Sequence, residues 1–121
     1  MKSGVAISLA IAACFAGSMA WADEYTMMGA GVRSCGEWFS DRQGKKAGAS
    51  PKESWVLGYI SAINSLYPVA QIPLDLLKGM DAEGIFVWID NYCRDHPLDL
   101  IGNAAASAVG ALKAKREALQ R

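Results

Sequence analysis

An all-α fold is what this chain predicts: a small orthogonal bundle of about four helices, stapled by one disulfide. Three observations lead there. Apolar residues recur at spacings of three and four through most of residues 34–119, and no stretch alternates apolar with polar residues as a strand would. Two cysteines, Cys35 and Cys93, fall beside the apolar faces so defined. No internal repeat is present.

The chain opens with a leader. Lys2 gives a positive start, Val5 to Ala16 is an uncharged apolar run, and Ala20-Trp21-Ala22 supplies small residues ahead of acidic Asp23 and Glu24. The run is shorter than the about 20 apolar residues that span a bilayer. Residues 1–22 therefore read as a signal peptide cleaved between Ala22 and Asp23, and the protein as periplasmic or secreted. Ile11-Ala12-Ala13-Cys14 offers a second reading, a lipobox in which Cys14 is acylated and anchors the chain to a membrane. The short apolar stretch between Lys2 and Cys14 favours the first.

Residues 23–33, with Gly29 and Gly31 and no sustained period, read as a flexible arm, and residues 34–121 as a single helical domain. A first helix runs from about Ser34 to Gln43, with Cys35, Trp38 and Phe39 on one side, and Gly44–Ala49 is a loop. Ser50, Pro51 and Glu53 mark the next start as an N-cap, a proline at the first helical position and a capping box. Trp55, Tyr59, Ile63 and Leu66 form its buried stripe, widened by Val56, Leu57 and Ile60, and Pro68 ends it. Residues 68–80 form a loop with room for one helical turn at Leu74–Leu77.

Asp81 caps a third helix to about Arg94, with Ile85, Trp88, Ile89 and Tyr92 inside and Asp90, Asn91 and Arg94 outside. Pro97 then starts a long last helix to about Leu119, whose core stripe is Leu98, Ile101, Ala105, Ala108, Leu112 and Leu119. Gly102, Ala106 and Gly110 make a narrow row beside it. A glycine inside a helix costs about 1 kcal/mol, so this row predicts close packing, against the same chain or a second subunit.

Cleavage after Ala22 removes Cys14 and leaves two cysteines in an oxidising compartment, so only one pairing, Cys35 with Cys93, is available. They lie too far apart for a Cys-x-x-Cys motif and lack the other ligands of a zinc site. In a domain of this size a covalent staple matters, because the core alone supplies little stability.

Charge excludes a nucleic-acid role. Of 12 Lys plus Arg the leader takes Lys2, which leaves 11 against 12 Asp plus Glu, a mature net charge of −1. The basic group Lys113, Lys115, Arg116 and Arg121 sits at the end of the last helix, where cations favour the macrodipole. Chemistry is sparse: His96 is the one histidine, placed at the bend before Pro97 as a helix cap, with Asp95 beside it. Asp75, Asp81, Glu83, Asp90, Asp95 and Asp99 read as caps and solvated faces. The expectation is a protein that is not an enzyme and takes no cofactor and no metal. Trp38, Trp55, Tyr59, Trp88 and Tyr92 read mostly as core, but so small a domain has little room for them all, and the remainder, with Trp38, Trp55 and Trp88 as candidates, forms a patch for a partner protein.

Cys35-Gly36-Glu37-Trp38-Phe39, Trp55-Val56-Leu57-Gly58-Tyr59-Ile60, Gly84-Ile85 and Tyr92-Cys93 together resemble the layout of small periplasmic proteins of the HdeA/HdeB type. The resemblance covers about residues 34–112. It implies an exported all-helical domain with one disulfide, and acid-stress chaperoning: dimers at neutral pH that acid opens into client-binding chains. This chain departs in its many aromatics and its Pro68–Pro73 loop. Trp88 to Pro97 and the alanine-rich helix after it are also similar to helical immunity proteins, which block one secreted toxin each. Partners are therefore expected to be acid-denatured clients or one specific protein, and the resemblance adds a homodimer as one assembly without fixing the oligomeric state.

Overall fold

The computed structural model describes residues 26–43 and 50–121. Among them are four helices and no strand: α1 (Cys35–Gln43), α2 (Pro51–Val69), α3 (Ala82–Asp95) and α4 (Ile101–Leu119). The α4 helix lies against both α2 and α3, and α1 lies against α3. Their meeting faces form one core of Trp38, Val56, Ile60, Ile85, Ile89, Ile101 and Ala105, with Leu74 and Leu76 added from the loop before α3. At its centre Cys35 and Cys93 are bonded, with Cα atoms 4.8 Å apart, inside the range that a disulfide spans.

Three of the four helices have a side-chain cap at their start. Ser34 and Glu37 make a reciprocal capping box on α1: Glu37 N–H donates to Ser34 Oγ at 3.1 Å and Ser34 N–H to Glu37 Oε2 at 3.2 Å. Ser50 caps α2 by accepting from Lys52 N–H at 3.2 Å, and Asp81 caps α3 by accepting from Gly84 N–H at 2.7 Å. Glu53 does not complete the box expected at α2. It turns inward instead and is 5% exposed.

Three further expectations are corrected. The α2 core face is Val56 and Ile60, one position round from the expected stripe; Trp55, Tyr59 and Ile63 are half-buried and Leu66 is exposed. Within the expected arm, Gly29–Val32 forms a 3-10 helix packed on α2 and α4. Trp55 holds it there: its indole N–H donates to Met28 C=O at 3.0 Å, and its ring covers Gly31, where any Cβ would overlap it. Finally, α4 starts at Ile101, not Pro97. The backbone before it is already committed across the chain, since Cys35 N–H donates to Asp99 C=O at 2.8 Å, Gly36 N–H to Pro97 C=O at 3.1 Å and Ile101 N–H to Arg33 C=O at 2.9 Å. Leu98 is left pointing into solvent.

The narrow row on α4 divides in two. A Cβ at Gly102 would overlap the Met27 sulfur and crowd Gly31 C=O, so close packing does occupy that site, from the ordered arm. Gly110 faces open space.

Candidate functional site

Three local arrangements could do more than hold the fold. The first joins α1 to its neighbours. Arg42 donates to Asp90 on α3 (Nε at 3.0 Å, Nη2 at 3.0 Å), to Glu83 on α3 (2.7 Å) and to Glu53 on α2 (3.1 Å), and its guanidinium lies over the Phe86 ring at 5.3 Å. Trp38 Nε1–H donates to the same Asp90 at 2.8 Å. Asp90 foremost, then Glu83, holds the guanidinium above its already high ordinary pKa, so Arg42 is charged at every pH of interest. Glu53 Oε2 is buried without a donor.

The second arrangement holds the connectors. Asp99 accepts Tyr92 O–H at 2.6 Å, Asn103 Nδ2–H at 2.6 Å and Leu100 N–H at 2.8 Å, which locks the α3–α4 turn. These bonds, Tyr92's first, hold the Asp99 carboxyl below the usual carboxylate range and push the Tyr92 hydroxyl up. Asp75 plays a like part in the loop before α3, accepting from Asn64 Nδ2–H and Leu77 N–H at 3.0 Å each, and the Asn64 bond foremost holds it low. Asn64 in turn accepts Leu76 N–H at 2.7 Å, which seats Leu76 in the core.

The third is a groove of about 720 Å³ between that loop and the end of α4. Pro68, Ile72, Pro73, Leu74 and Leu119 give it an apolar lining, with Lys78 and Arg116 at its edge. Arg116 donates to Lys78 C=O and Gln120 Nε2–H to Pro73 C=O at 3.0 Å, so α4 side chains fix the loop wall. Ile72 and Leu119 are exposed there, as are Leu66 and Val69 in the last turns of α2.

The aromatic residues named from the sequence separate in this framework. Trp38 is 1% exposed and lies in the core. Trp55 and Trp88 are half-buried; Trp55 stacks on Tyr59, and Trp88 on Tyr92, whose other face carries His96 at 4.4 Å. His96 Nδ1 lies 2.9 Å from Tyr92 C=O, the helix-capping position expected of it. Cys14, Ala22 and Asp23 lie outside the described residues. Among the described residues no group of three His, Cys, Asp or Glu could hold a metal ion, and no helix is long and apolar enough to cross a membrane.

The Arg42 cluster and the groove escaped the sequence reading for different reasons. Arg42 carries no local signature, Glu53 read as part of a capping box and Asp90 as an outward residue. The groove's two walls are separated by about forty residues, as the 40-residue span of the Arg116–Leu76 contact illustrates.

Compared with protein families, curated proteins and solved structures, the chain matches none.

Proposed function

We propose that this is a non-enzymatic periplasmic protein-binding domain, in its most specific form an acid-stress chaperone of the HdeA type. One observation carries the reading: the aspartates that pin both connectors, Asp75 and Asp99, are stabilised as anions. The sign follows. A carboxyl held below its ordinary value adds stability above about pH 4, and that stability disappears as pH falls through the lowered value. Acid therefore loosens the groove loop and the α3–α4 turn together. It also takes the mature chain from −1 to about +12, as 12 acids lose their charge, 11 basic side chains keep theirs and the one histidine gains a charge. Self-repulsion then favours opening, and the disulfide limits its extent.

Asp99→Asn tests the sign. The variant should be less stable than the parent at about pH 7 and closely matched to it at about pH 2, because the bonds it weakens depend on the carboxylate. Urea midpoints at both values measure this, and an unchanged pH dependence would count against the acid-sensitive turn.

The groove favours a second reading, specific inhibition of one partner, since its volume suits an inserted loop or side-chain cluster. A pull-down from periplasmic extract separates the two. Chaperoning predicts loose capture of many proteins in acid and none at neutral pH; inhibition predicts one protein, held stoichiometrically at neutral pH.

A further inference from the structure

The groove between the loop before α3 and the end of α4 has a wall whose backbone is already paired and an edge whose charge is not. The N–H groups of Gln71, Ile72, Leu74, Leu76 and Leu77 all donate within the chain, and Pro73 has none. On the same wall the Pro73, Leu76 and Lys78 C=O groups accept from Gln120 and Arg116 of α4. An extended peptide finds little backbone to pair with there, so the wall offers contact area in place of a hydrogen-bond ladder. Ile72 is 45% and Leu119 68% exposed, which leaves apolar surface for a ligand to cover.

We infer that this groove binds a free fatty acid, with its acyl chain along Ile72, Pro73 and Leu119 and its carboxylate at Lys78 and Arg116. Charge selects the head group. Lys78 is exposed, and among the described residues its ammonium pairs with no carboxylate. Arg116 gives its bonds to neutral carbonyl oxygens, so no bonded carboxylate cancels its charge. Among the described residues that line the groove Asp75 is the only carboxylate, and Asn64 Nδ2–H and Leu77 N–H hold it at 3.0 Å each. The edge therefore sets two cations against one anion, a balance that a single added carboxylate completes.

A ligand with an apolar body and one anionic end matches both halves of this description. The acyl chain asks for no hydrogen bond, which suits a wall whose backbone groups are taken. The groove, at about 720 Å³, lies within the range of about 300–1,000 Å³ usual for small-molecule sites. Covering the apolar wall supplies most of the affinity. The contact at the edge is exposed and screened, so it contributes less and acts mainly in choosing an anionic head over a cationic one. The inference goes beyond both readings given above: it assigns the groove an occupant other than a protein loop, and it stands whether or not the chain suppresses aggregation in acid.

Isothermal titration of the purified mature protein with laurate at neutral pH tests it. Binding should saturate at one laurate per chain, with a Kd on the order of 10 μM. The trimethylammonium amphiphile with the same tail should bind about tenfold more weakly. Lys78→Glu should weaken laurate about tenfold and strengthen the trimethylammonium amphiphile, a reversal that loss of the fold does not produce. Leu119→Ser should weaken both alike, by about three- to tenfold. Both side chains are exposed, so neither variant disturbs the core. Laurate that fails to saturate, equal binding of the two amphiphiles, or an unchanged preference in Lys78→Glu overturns the inference. Sedimentation with phosphatidylglycerol vesicles in the absence of saturable laurate binding assigns the surface to a membrane. A changed oligomeric state in Leu119→Ser, again without laurate binding, assigns it to a second copy of the chain, and either outcome also overturns the inference.

Discussion

Cys35→Ala should destabilise the domain by about 2–5 kcal/mol and lower its melting temperature on the order of 10–20 °C. The bond closes a span of 58 residues, and the chain-entropy model gives such a loop about 4 kcal/mol. Typical domains have about 5–15 kcal/mol in total, so this one change removes a large share. Both sulfur-bearing residues are fully buried, and the bond joins α1 to α3 where no other covalent tie exists. In the native protein neither thiol should react with an alkylating agent. In the variant, Cys93 should appear as a free thiol prone to intermolecular pairing. Thermal melts and mass spectrometry of alkylated material measure both effects; two free thiols in the native protein would contradict the account.

Trp38→Ala should cost about 3–5 kcal/mol. The side chain is among the largest that are fully buried, it packs on Phe86, and its indole N–H satisfies Asp90. Truncation leaves a cavity where α1 meets α3 and removes a donor from a carboxylate that Arg42 alone must then hold. Trp38→Phe should recover most of the packing without the hydrogen bond and fall between the two. Urea unfolding at neutral pH measures the series, and a loss below about 1 kcal/mol for the alanine variant would mean that α1 is not part of the core.

The helices that were legible are those with strong local starts. Ser50 and Asp81 announce α2 and α3 by hydrogen bonds that their own side chains accept, and Pro51 fits the first helical position. The disulfide was legible for another reason, since removal of the expected leader leaves two cysteines and one pairing. The phase of α2 was not legible. Its Trp55–Tyr59–Ile63 row and its Val56–Ile60 row are adjacent, and contacts distant in sequence, among them Arg42 with Glu53, accompany the row that faces the core. The 3-10 helix was hidden because Gly29 and Gly31 read as flexibility, whereas they are the room that the Trp55 ring needs. The start of α4 was misplaced because Pro97 is a good first helical residue, but residues 97–101 had already spent their backbone groups on residues 33–36. Long-range pairing accompanies each of these points.

Light scattering by an aggregation-prone client at about pH 2–3 tests the central proposal most directly. The purified mature protein should lower the scattering when present at a few-fold molar excess, with its disulfide intact, and should have no such effect on a client aggregating at neutral pH. Scattering that is unchanged in acid at several-fold excess would contradict the chaperone reading.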